Sequence, residues 1–324
     1  MRVFVYEYLT ATGIGREVRA PEHGLYREGR AMRDAVASDF ARVPGVEVVT
    51  LDRVVSGDPE HEIRRAAEKC DWALVIAPET DGQMDRDCRA VRASGCRLLG
   101  STPDAIRATT DKLALAERWH NHGVRTPATT EREPTACDAF PVVWKPRDGA
   151  GSVDTFLIRD RFELAQAKAI RDPARPMILQ EYVPGQPASV AFLCGASKRY
   201  PLRPAFQLLS ADARFKYRGG ELPIPTAQAE RATQLAQSAL ARVPGLLGYV
   251  GVDLVLGDAT DGSRDYAIEI NPRLTTSYIG LRTLADFNLA EAMLRVAQGE
   301  LVAEFQWKPG RVRFGPDGTV SVLD

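Results

Sequence analysis

Apolar and polar residues at the start of the chain follow two alternating patterns. The runs "RVFVYEYL", "VEVVTL", "WALVIAP" and "CRLLG" have the length and composition of buried strands. Between them, apolar residues recur every three or four positions, as in residues 24–43, which predicts helices. Strands that alternate with helices predict a parallel, doubly wound sheet, whose ligands bind at the carboxyl ends of the strands. We therefore expect an α/β domain over residues 1–100, with residues 7–15 and 77–81 near a site.

The pattern after residue 100 predicts a unit of mixed α+β structure. Thr102 can cap a helix that has Pro103 at its first position, and Asp111 and Lys112 begin a second helix. Strand-like runs follow at "FPVVWKP", "VDTFLIRD" and "MILQEYVPG", with a helix-like "RFELAQAKAI" between the last two. We predict that this second unit covers residues 101–183.

Residues 184–324 have the pattern of a third unit, again of α+β structure. We predict strands at 188–194 and 200–209, a helix at 226–242, two further strands, and a helix at 286–298. The predicted fold class is therefore α/β, with an N-terminal doubly wound parallel sheet followed by two α+β subdomains.

Composition excludes several classes of function. The 324 residues are 44% hydrophobic and 26% charged, with a net charge of −1, which is typical of a globular protein without a field that attracts nucleic acid. No apolar run approaches the roughly 20 residues that a membrane span needs. The start of the chain lacks the features of a signal peptide, and no CxxC pair occurs among the five cysteines. We expect a cytoplasmic protein with neither nucleic acid nor membrane as a partner.

Lysine is rare in this chain, so each lysine is informative. Seven of the 42 basic residues are lysines, and Lys145 ends an apolar strand in "VVWKPRDGAGS". The glycines after it would let backbone N–H groups approach an anion, and the lysine would supply a charge for phosphate. A β-hairpin with a solvated lysine explains the same pattern, and this segment alone leaves both interpretations open.

Two other strand ends carry polar residues. Gln180 and Glu181 end the strand in "ILQEYVPG", where backbone amides could bind a nucleotide base, although a plain polar strand end explains this segment too. The strands 247–257 and 264–272 predict a hairpin that places Asp253 opposite Glu269. Opposed carboxylates repel unless a cation lies between them.

Asn271 lies two residues after Glu269 and therefore projects from the same face of the strand. Two carboxylates and an amide oxygen are hard ligands suited to Mg²⁺ that is shared with phosphate oxygens. The alternative, an accidental acid pair on a solvated face, fits poorly because both acids lie among Val, Leu, Ile and Ala.

In this order, the three motifs resemble the ATP-grasp superfamily over residues 100–285, and the first hundred residues resemble its pre-ATP-grasp domain. The resemblance implies ATP bound between the two α+β subdomains and two Mg²⁺ ions, with Mn²⁺ as an alternative metal. It implies that the nucleotide is held by Lys112, Lys145, Gly149, Gly151, Ser152, Gln180, Glu181, Tyr182 and Val183. The implied metal ligands are Asp253, Glu269 and Asn271, and Arg273 is implied to be catalytic. The chain departs from the family in having Pro187 where an acid often holds the ribose, and Gly251 where some ligases carry an arginine.

A narrower resemblance rests on "EYLTATGIG", "EGRAM", "STPDAIRATTDKLALAE", "KPRDGAGS" and "INPRLTTSYIGLR". These segments look like the tyramine–glutamate ligases of methanofuran biosynthesis, which make a γ-glutamyl amide of an aromatic amine for a one-carbon carrier cofactor. The resemblance implies a small-molecule carboxylate and an amine as substrates and an acyl phosphate as the intermediate. Arg273 would then bind the carboxylate or the transferred phosphoryl group through two hydrogen bonds.

The segment "ARFKYRGGELP" at 213–223 is predicted to be a loop on the substrate side. We expect Lys216 or Arg218 to contact the carboxylate or the phosphate, although a solvated surface loop fits equally well. Three other functions stay open: a ligase for another acid and amine, an ATP-grasp kinase that phosphorylates a small molecule, and a nucleotide-binding regulatory protein. The sequence also leaves the oligomeric state open, a homodimer included.

Overall fold

The computed structural model describes residues 1–20, 22–55, 57–135 and 138–323. The strands are β1 (Arg2–Glu7), β2 (Glu47–Thr50), β3 (Trp72–Ile76), β4 (Arg97–Leu98), β5 (Thr129–Thr130), β6 (Val142–Pro146), β7 (Phe156–Ile158), β8 (Met177–Glu181), β9 (Gln186–Cys194), β10 (Arg199–Pro201), β11 (Ala205–Leu209), β12 (Tyr217–Leu222), β13 (Gly248–Leu256), β14 (Tyr266–Asn271), β15 (Arg311–Phe314) and β16 (Val320–Leu323). The α-helices are α1 (Tyr8–Thr12), α2 (His23–Phe40), α3 (Pro59–Ala67), α4 (Gln83–Ala93), α5 (Pro103–Thr110), α6 (Lys112–Asn121), α7 (Arg161–Ile170), α8 (Thr226–Leu240), α9 (Ser277–Leu284) and α10 (Leu289–Ala297). Among these described helices, none has the length and hydrophobicity to cross a membrane.

The first sheet is the parallel sheet that the sequence predicts, with strand order β2-β1-β3-β4. Alternate residues of β1 pack on opposite faces. Val3 and Val5 lie in one core cluster with residues of α2, while Phe4 and Tyr6 lie in another with residues of α3 and α4. Helices therefore cover both faces of the sheet, which confirms the doubly wound arrangement.

The second sheet is small and antiparallel, with strand order β5-β8-β6-β7. Helix α7 covers one face, where Leu164 and Ala167 pack with Trp144 and Phe156 in a separate hydrophobic cluster. The loop between β6 and β7 is the glycine-rich segment, so the predicted hairpin exists.

The third sheet has the strand order β14-β13-β9-β11-β12-β15-β16, with β10 paired to β9. Helix α8 packs on one face, and α9 and α10 pack on the other together with α2 of the first domain. Helices α5 and α6, predicted as part of the second unit, also pack on this sheet. The Trp119 indole nitrogen of α6 donates to the carbonyl oxygen of Ala239 at 3.1 Å. The first domain and the third sheet thus share a continuous core.

Two predictions for the third unit are wrong. The strand expected at 200–209 is interrupted after Pro201 and resumes at Ala205, because Pro201 and Pro204 lack the N–H groups that a continuous ladder needs. The loop expected at 213–223 is largely strand β12, which pairs with β11 and β15. The final hairpin of β15 and β16 lies outside the predicted elements.

Candidate active site

A cavity of about 290 Å³ lies between the second and third sheets. Strands β6 and β8 contribute to one wall, and β13 and β14 contribute to the other. All but one of the predicted site residues line this cavity: Lys112, Lys145, Gly149, Gly151, Ser152, Gln180, Glu181, Tyr182, Val183, Asp253, Glu269, Asn271 and Arg273. The exception is Lys216.

The predicted acid pair lies in register on the β13–β14 hairpin. Asp253 is the partner of Glu269, and a β-bulge follows, so that Leu254 pairs with Ala267. Ile268 is the extra residue of the bulge, so the alternation of side chains between the two faces of β14 shifts by one residue there. As a result, the consecutive residues Ile268 and Glu269 both line the cavity. Ala267, which precedes them in the chain, lies in the apolar core.

The two carboxyl groups are held in a small network of polar side chains. The Asp253 carboxylate accepts hydrogen bonds from the amides of Gln207 at 2.9 Å and Asn271 at 3.1 Å. Burial and the negative charge of Glu269 both raise the pKa of Asp253. For Glu269, the nearby charges of Lys112 and Lys145 outweigh burial and hold its pKa below the usual range. The raised pKa of Asp253 and the lowered pKa of Glu269 mean that the second negative charge of the pair is disfavoured without a further cation.

Both lysines lie at this acid pair. The Lys112 ammonium group is 3.6 Å from a Glu269 oxygen and donates to the carbonyl oxygen of Gly149 at 2.9 Å. Lys145 is only 7% exposed, so the interpretation of a solvated lysine is wrong. Burial lowers the pKa of Lys145 to about 8, and the charge of Glu269 opposes this shift. Two cationic side chains, those of Lys112 and Lys145, therefore lie next to the two carboxyl groups.

The glycine-rich loop folds over the cavity and contacts the first domain. The Asp81 amide donates to the Asp148 carboxylate at 2.9 Å, and the Ser152 hydroxyl donates to the Phe215 carbonyl at 2.9 Å. Gly151 has a φ of +70°, and a Cβ at this position would lie 2.6 Å from a methyl carbon of Leu25. Glycine is required there for its backbone conformation and for the close approach.

The strand end at Gln180 also lines the cavity. The Gln180 amide donates to the Thr129 hydroxyl at 2.9 Å, and the backbone N–H of Glu181 donates to the carbonyl oxygen of Ala128 at 2.8 Å. Val183 is buried beside them. These contacts anchor the segment Gln180–Val183 at the cavity wall, which is where the resemblance implies that the base lies.

Arg273 lines the cavity, but its bidentate partner is a protein side chain. Its Nε and Nη2 atoms donate to the two Glu79 carboxylate oxygens at 2.9 and 3.1 Å, and Nη1 donates to the Leu274 carbonyl at 3.2 Å. Arg273 is 13% exposed and Glu79 6% exposed. Glu79 lies in the segment 77–81, after β3, so the first domain aligns Arg273. A bidentate contact of Arg273 with a substrate stays a prediction.

Hydroxyl side chains that follow Arg273 in the chain also line the cavity. Thr275, Thr276 and Ser277 all lie at its wall, and the hydroxyls of Thr275 and Ser277 are hydrogen-bonded at 2.9 Å. The Tyr249 hydroxyl bonds Ser277 at 2.8 Å. The Thr276 hydroxyl donates to the carboxylate of Glu28, which reaches the cavity from helix α2.

Lys216 lies on the exposed side of its segment, while its neighbours Phe215 and Tyr217 line the cavity. Strand alternation explains only the difference between Tyr217 and Arg218, which are successive residues of β12 and point to opposite sides. Arg218 is likewise exposed. The contact of Lys216 or Arg218 with a substrate stays a prediction, and Tyr217 is the residue of this segment at the cavity.

Sequence reasoning gave no role to Glu28, Glu79 or Gln207. Gln207 could have been found, since it is a polar residue within the apolar strand "AFQLL". Glu79 lies in the segment expected near a site, and Glu28 lies in "EGRAM". Neither segment indicates which side chain its glutamate contacts. The partners are 194 and 248 residues away.

The residues present fit a divalent cation that is shared with another ligand. Asp253 and Glu269 are opposed across the hairpin, and Asn271 adds an amide on the same side. Within residues 1–20, 22–55, 57–135 and 138–323, no group of three or more His, Cys, Asp or Glu side chains could hold a metal alone. Mg²⁺ is commonly bound by one or two carboxylates together with substrate phosphates, which agrees with this donor set.

Comparison with known proteins identifies the class. An ATP-grasp domain model matches residues 109–277, and a pre ATP-grasp 3 domain model matches residues 32–106. The chain therefore belongs to the ATP-grasp family, which confirms the predicted fold with its N-terminal parallel-sheet domain.

Several particular proteins are similar over most of the chain. A tyramine–L-glutamate ligase of Methanocaldococcus fervens is 27% identical over 316 residues, which cover 92% of this chain and 94% of the relative. A D-alanine–D-alanine ligase of Francisella philomiragia is 25% identical over 271 residues, 80% of this chain and 86% of the relative. A crystal structure described as an ATP-grasp superfamily protein of Archaeoglobus fulgidus matches with a TM-score of 0.72 and 24% identity, covering 97% and 92% of the two chains. The predicted class of enzyme, an ATP-dependent carbon–nitrogen ligase, agrees with the two named ligases.

Proposed function

We propose that this protein is an ADP-forming carboxylate–amine ligase that joins the γ-carboxyl group of glutamate to tyramine or a similar aromatic amine. The observation that carries the proposal is the cluster of Asp253, Glu269 and Asn271 with Lys112 and Lys145, inside a cavity that continues past Arg273. The similarity to a tyramine–L-glutamate ligase supports the choice of substrates. The resemblance of the sequence segments to ligases of methanofuran biosynthesis implies a role in making a one-carbon carrier cofactor.

The residues divide the cavity into three parts. Gln180–Val183 would receive the base of ATP, and Lys145 and Lys112 would neutralise its phosphate oxygens together with the N–H groups of Gly149–Ser152. Asp253, Glu269 and Asn271 would hold Mg²⁺, which supplies charge neutralisation at the phosphates when bound. The remaining part, beyond Arg273, would bind the carboxylate and the amine.

The reaction follows from this order. A substrate carboxylate attacks the γ-phosphorus of ATP, which releases ADP and forms an acyl phosphate. The amine then attacks the acyl carbon and releases phosphate. Phosphoryl transfer needs alignment and charge neutralisation rather than covalent help from the protein. The Gly149–Ser152 loop covers the site and excludes the water that would hydrolyse the acyl phosphate.

Release of ADP from Mg-ATP tests the proposal. Wild-type protein should release ADP with glutamate and tyramine together, and should form a hydroxamate when hydroxylamine replaces the amine. A stable phosphorylated product without any amine would instead identify a kinase. Turnover with another pair but not with glutamate and tyramine would contradict the proposed substrates.

A substitution in the cluster tests the assignment of the metal ligands. Glu269→Gln should abolish turnover, because it removes one carboxylate from the proposed Mg²⁺ site. Asp258→Asn is the matched control, since Asp258 lies between β13 and β14 and its side chain is 80% exposed. Turnover by Glu269→Gln at the control rate would disprove the assignment.

A further inference from the structure

One carboxylate of the cavity has no place in the chemistry described above. Five acidic residues line the cavity, and four of them lie at the strand end Gln180–Val183, the glycine-rich loop or the metal cluster: Glu181, Asp148, Asp253 and Glu269. The fifth, Glu28, accepts a hydrogen bond from the Thr276 hydroxyl and interacts with the charge of Arg273. In the described part of the chain, Glu28 is therefore the carboxylate that lines the cavity near Arg273 and the hydroxyl groups.

The position of Glu28 is well defined. Helix α2 packs tightly against the end of β1, where a Cβ on Gly29 would lie 2.4 Å from an oxygen of the buried Glu7 carboxylate. The Thr276 hydroxyl donates to Oε1 of Glu28. Because a carboxylate accepts several hydrogen bonds, its second oxygen can accept one from a ligand.

The local charge balance favours a cation. Burial raises the pKa of Glu28, and the hydrogen bond from Thr276 and the charge of Arg273 offset only part of this rise, so a further cation would stabilise the ionised carboxylate. However, Arg273 makes two hydrogen bonds with Glu79, so its charge is already matched by one carboxylate. Since Glu79 already matches the charge of Arg273, an ionised Glu28 leaves one net negative charge at this part of the cavity, which a cationic ligand would neutralise.

We propose that Glu28 binds the primary ammonium group of a substrate, with Thr276 fixing the orientation of the carboxylate. This inference rests on the proposed ligase function and specifies how its substrates are recognised. An ammonium group has three donors and no acceptor, and its hydrogen bonds to a carboxylate are charge-assisted. The ammonium group belongs either to the amino acid that is activated or to the amine that attacks it, and the two sources give different results below.

Binding measurements on Glu28→Gln test the proposal. The substitution keeps the shape and an oxygen that accepts from Thr276, but it removes the charge. Asp34→Asn is the control, since Asp34 lies on the same helix and its side chain is 52% exposed. L-Glutamate and tyramine are titrated calorimetrically into each protein in the presence of Mg²⁺ and a non-hydrolysable ATP analogue, as are glutarate and 4-ethylphenol, which lack the ammonium group.

We expect Glu28→Gln to weaken binding of one ammonium ligand by about 10- to 100-fold and to leave its ammonium-free counterpart unchanged. A loss for L-glutamate identifies the ammonium group of the amino acid, and hydroxamate formation should then show a raised KM for glutamate. A loss for tyramine identifies the attacking amine, and the KM of glutamate in hydroxamate formation should stay at the wild-type value. The KM for ATP should not change in either case.

Equal affinities of wild type and Glu28→Gln for both ammonium ligands would overturn the inference, even if the wild type is an active ligase. A wild-type protein that releases no ADP with any amino acid and amine would contradict the proposed function instead. In that case the same titrations still decide whether Glu28 binds an ammonium group, because they do not depend on turnover. Loss of binding by Asp34→Asn to the same extent would also count against Glu28.

Discussion

Replacing Glu79 by glutamine should destabilise the protein, because it removes the charge from one partner of a buried ion pair. Glu79 and Arg273 are 6% and 13% exposed and share two hydrogen bonds of 2.9 and 3.1 Å. Breaking a buried pair on one side costs about 3–5 kcal/mol, since the other charge stays buried. The amide oxygen of the new side chain can still accept one hydrogen bond, and Glu28 and Glu269 also interact with Arg273, so we expect about 3 kcal/mol.

Urea unfolding of Glu79→Gln followed by circular dichroism measures this effect. For an m-value of about 3 kcal/mol/M, a loss of about 3 kcal/mol lowers the midpoint by about 1 M. The control is Glu300→Gln, which removes the partner of Arg295 at 2.7 Å from a pair that is 49% and 47% exposed. Exposed pairs contribute about 0–1 kcal/mol, so the control midpoint should hardly move. Equal midpoints for the two variants would refute the reasoning that burial makes the Glu79–Arg273 pair important.

Two further predictions concern the glycine-rich loop and the first domain. Gly151→Ala should lower kcat severalfold in a steady-state assay, since alanine is strained at a φ of +70° and its Cβ would collide with Leu25. The control is Gly45→Ala, which should leave kcat unchanged, because Gly45 has a similar φ of +74° but no atom near its Cβ. Equal kcat values for the two variants would contradict a role for the loop contact. Burial raises the pKa of Asp87 from 3.8 to about 7 in the folded protein. The stability that the protonated Asp87 contributes is therefore fully present below pH 4 and is lost as the pH rises to 7. Asp87→Asn should therefore become increasingly stable relative to wild type in unfolding experiments between pH 4 and 7, and a constant difference over that range would contradict this explanation.

The acid pair could be predicted from sequence because hairpin geometry is local. A turn-rich segment between two apolar strands determines which residues are opposed, so Asp253 and Glu269 could be paired from the sequence. The first sheet was predictable for a similar reason, since strand and helix periods alternate clearly there. The β-bulge was not predicted, although it determines that Ile268 as well as Glu269 faces the cavity.

Contacts between distant segments could not be predicted. The pairing of Glu79 with Arg273, and that of Glu28 with Thr276, depends on how the first domain packs on the third sheet. That packing arises from a shared apolar core of α2, α9 and α10. The apolar pattern of each helix predicts which face is buried, but it does not predict which other helix packs against that face. Strand β12 was missed because "YRGGEL" has two glycines and two charged residues, and only pairing with β11 and β15 makes it a strand.

The transfer of oxygen from the carboxylate to phosphate tests the central claim most directly. Glutamate labelled with ¹⁸O in its γ-carboxyl group is incubated with Mg-ATP, tyramine and the wild-type protein, and the released phosphate is analysed by mass spectrometry. If an acyl phosphate forms at this site, each released phosphate carries one ¹⁸O atom, because the attacking carboxylate oxygen leaves with the phosphorus. Amide formation with unlabelled phosphate would contradict carboxylate activation by phosphoryl transfer.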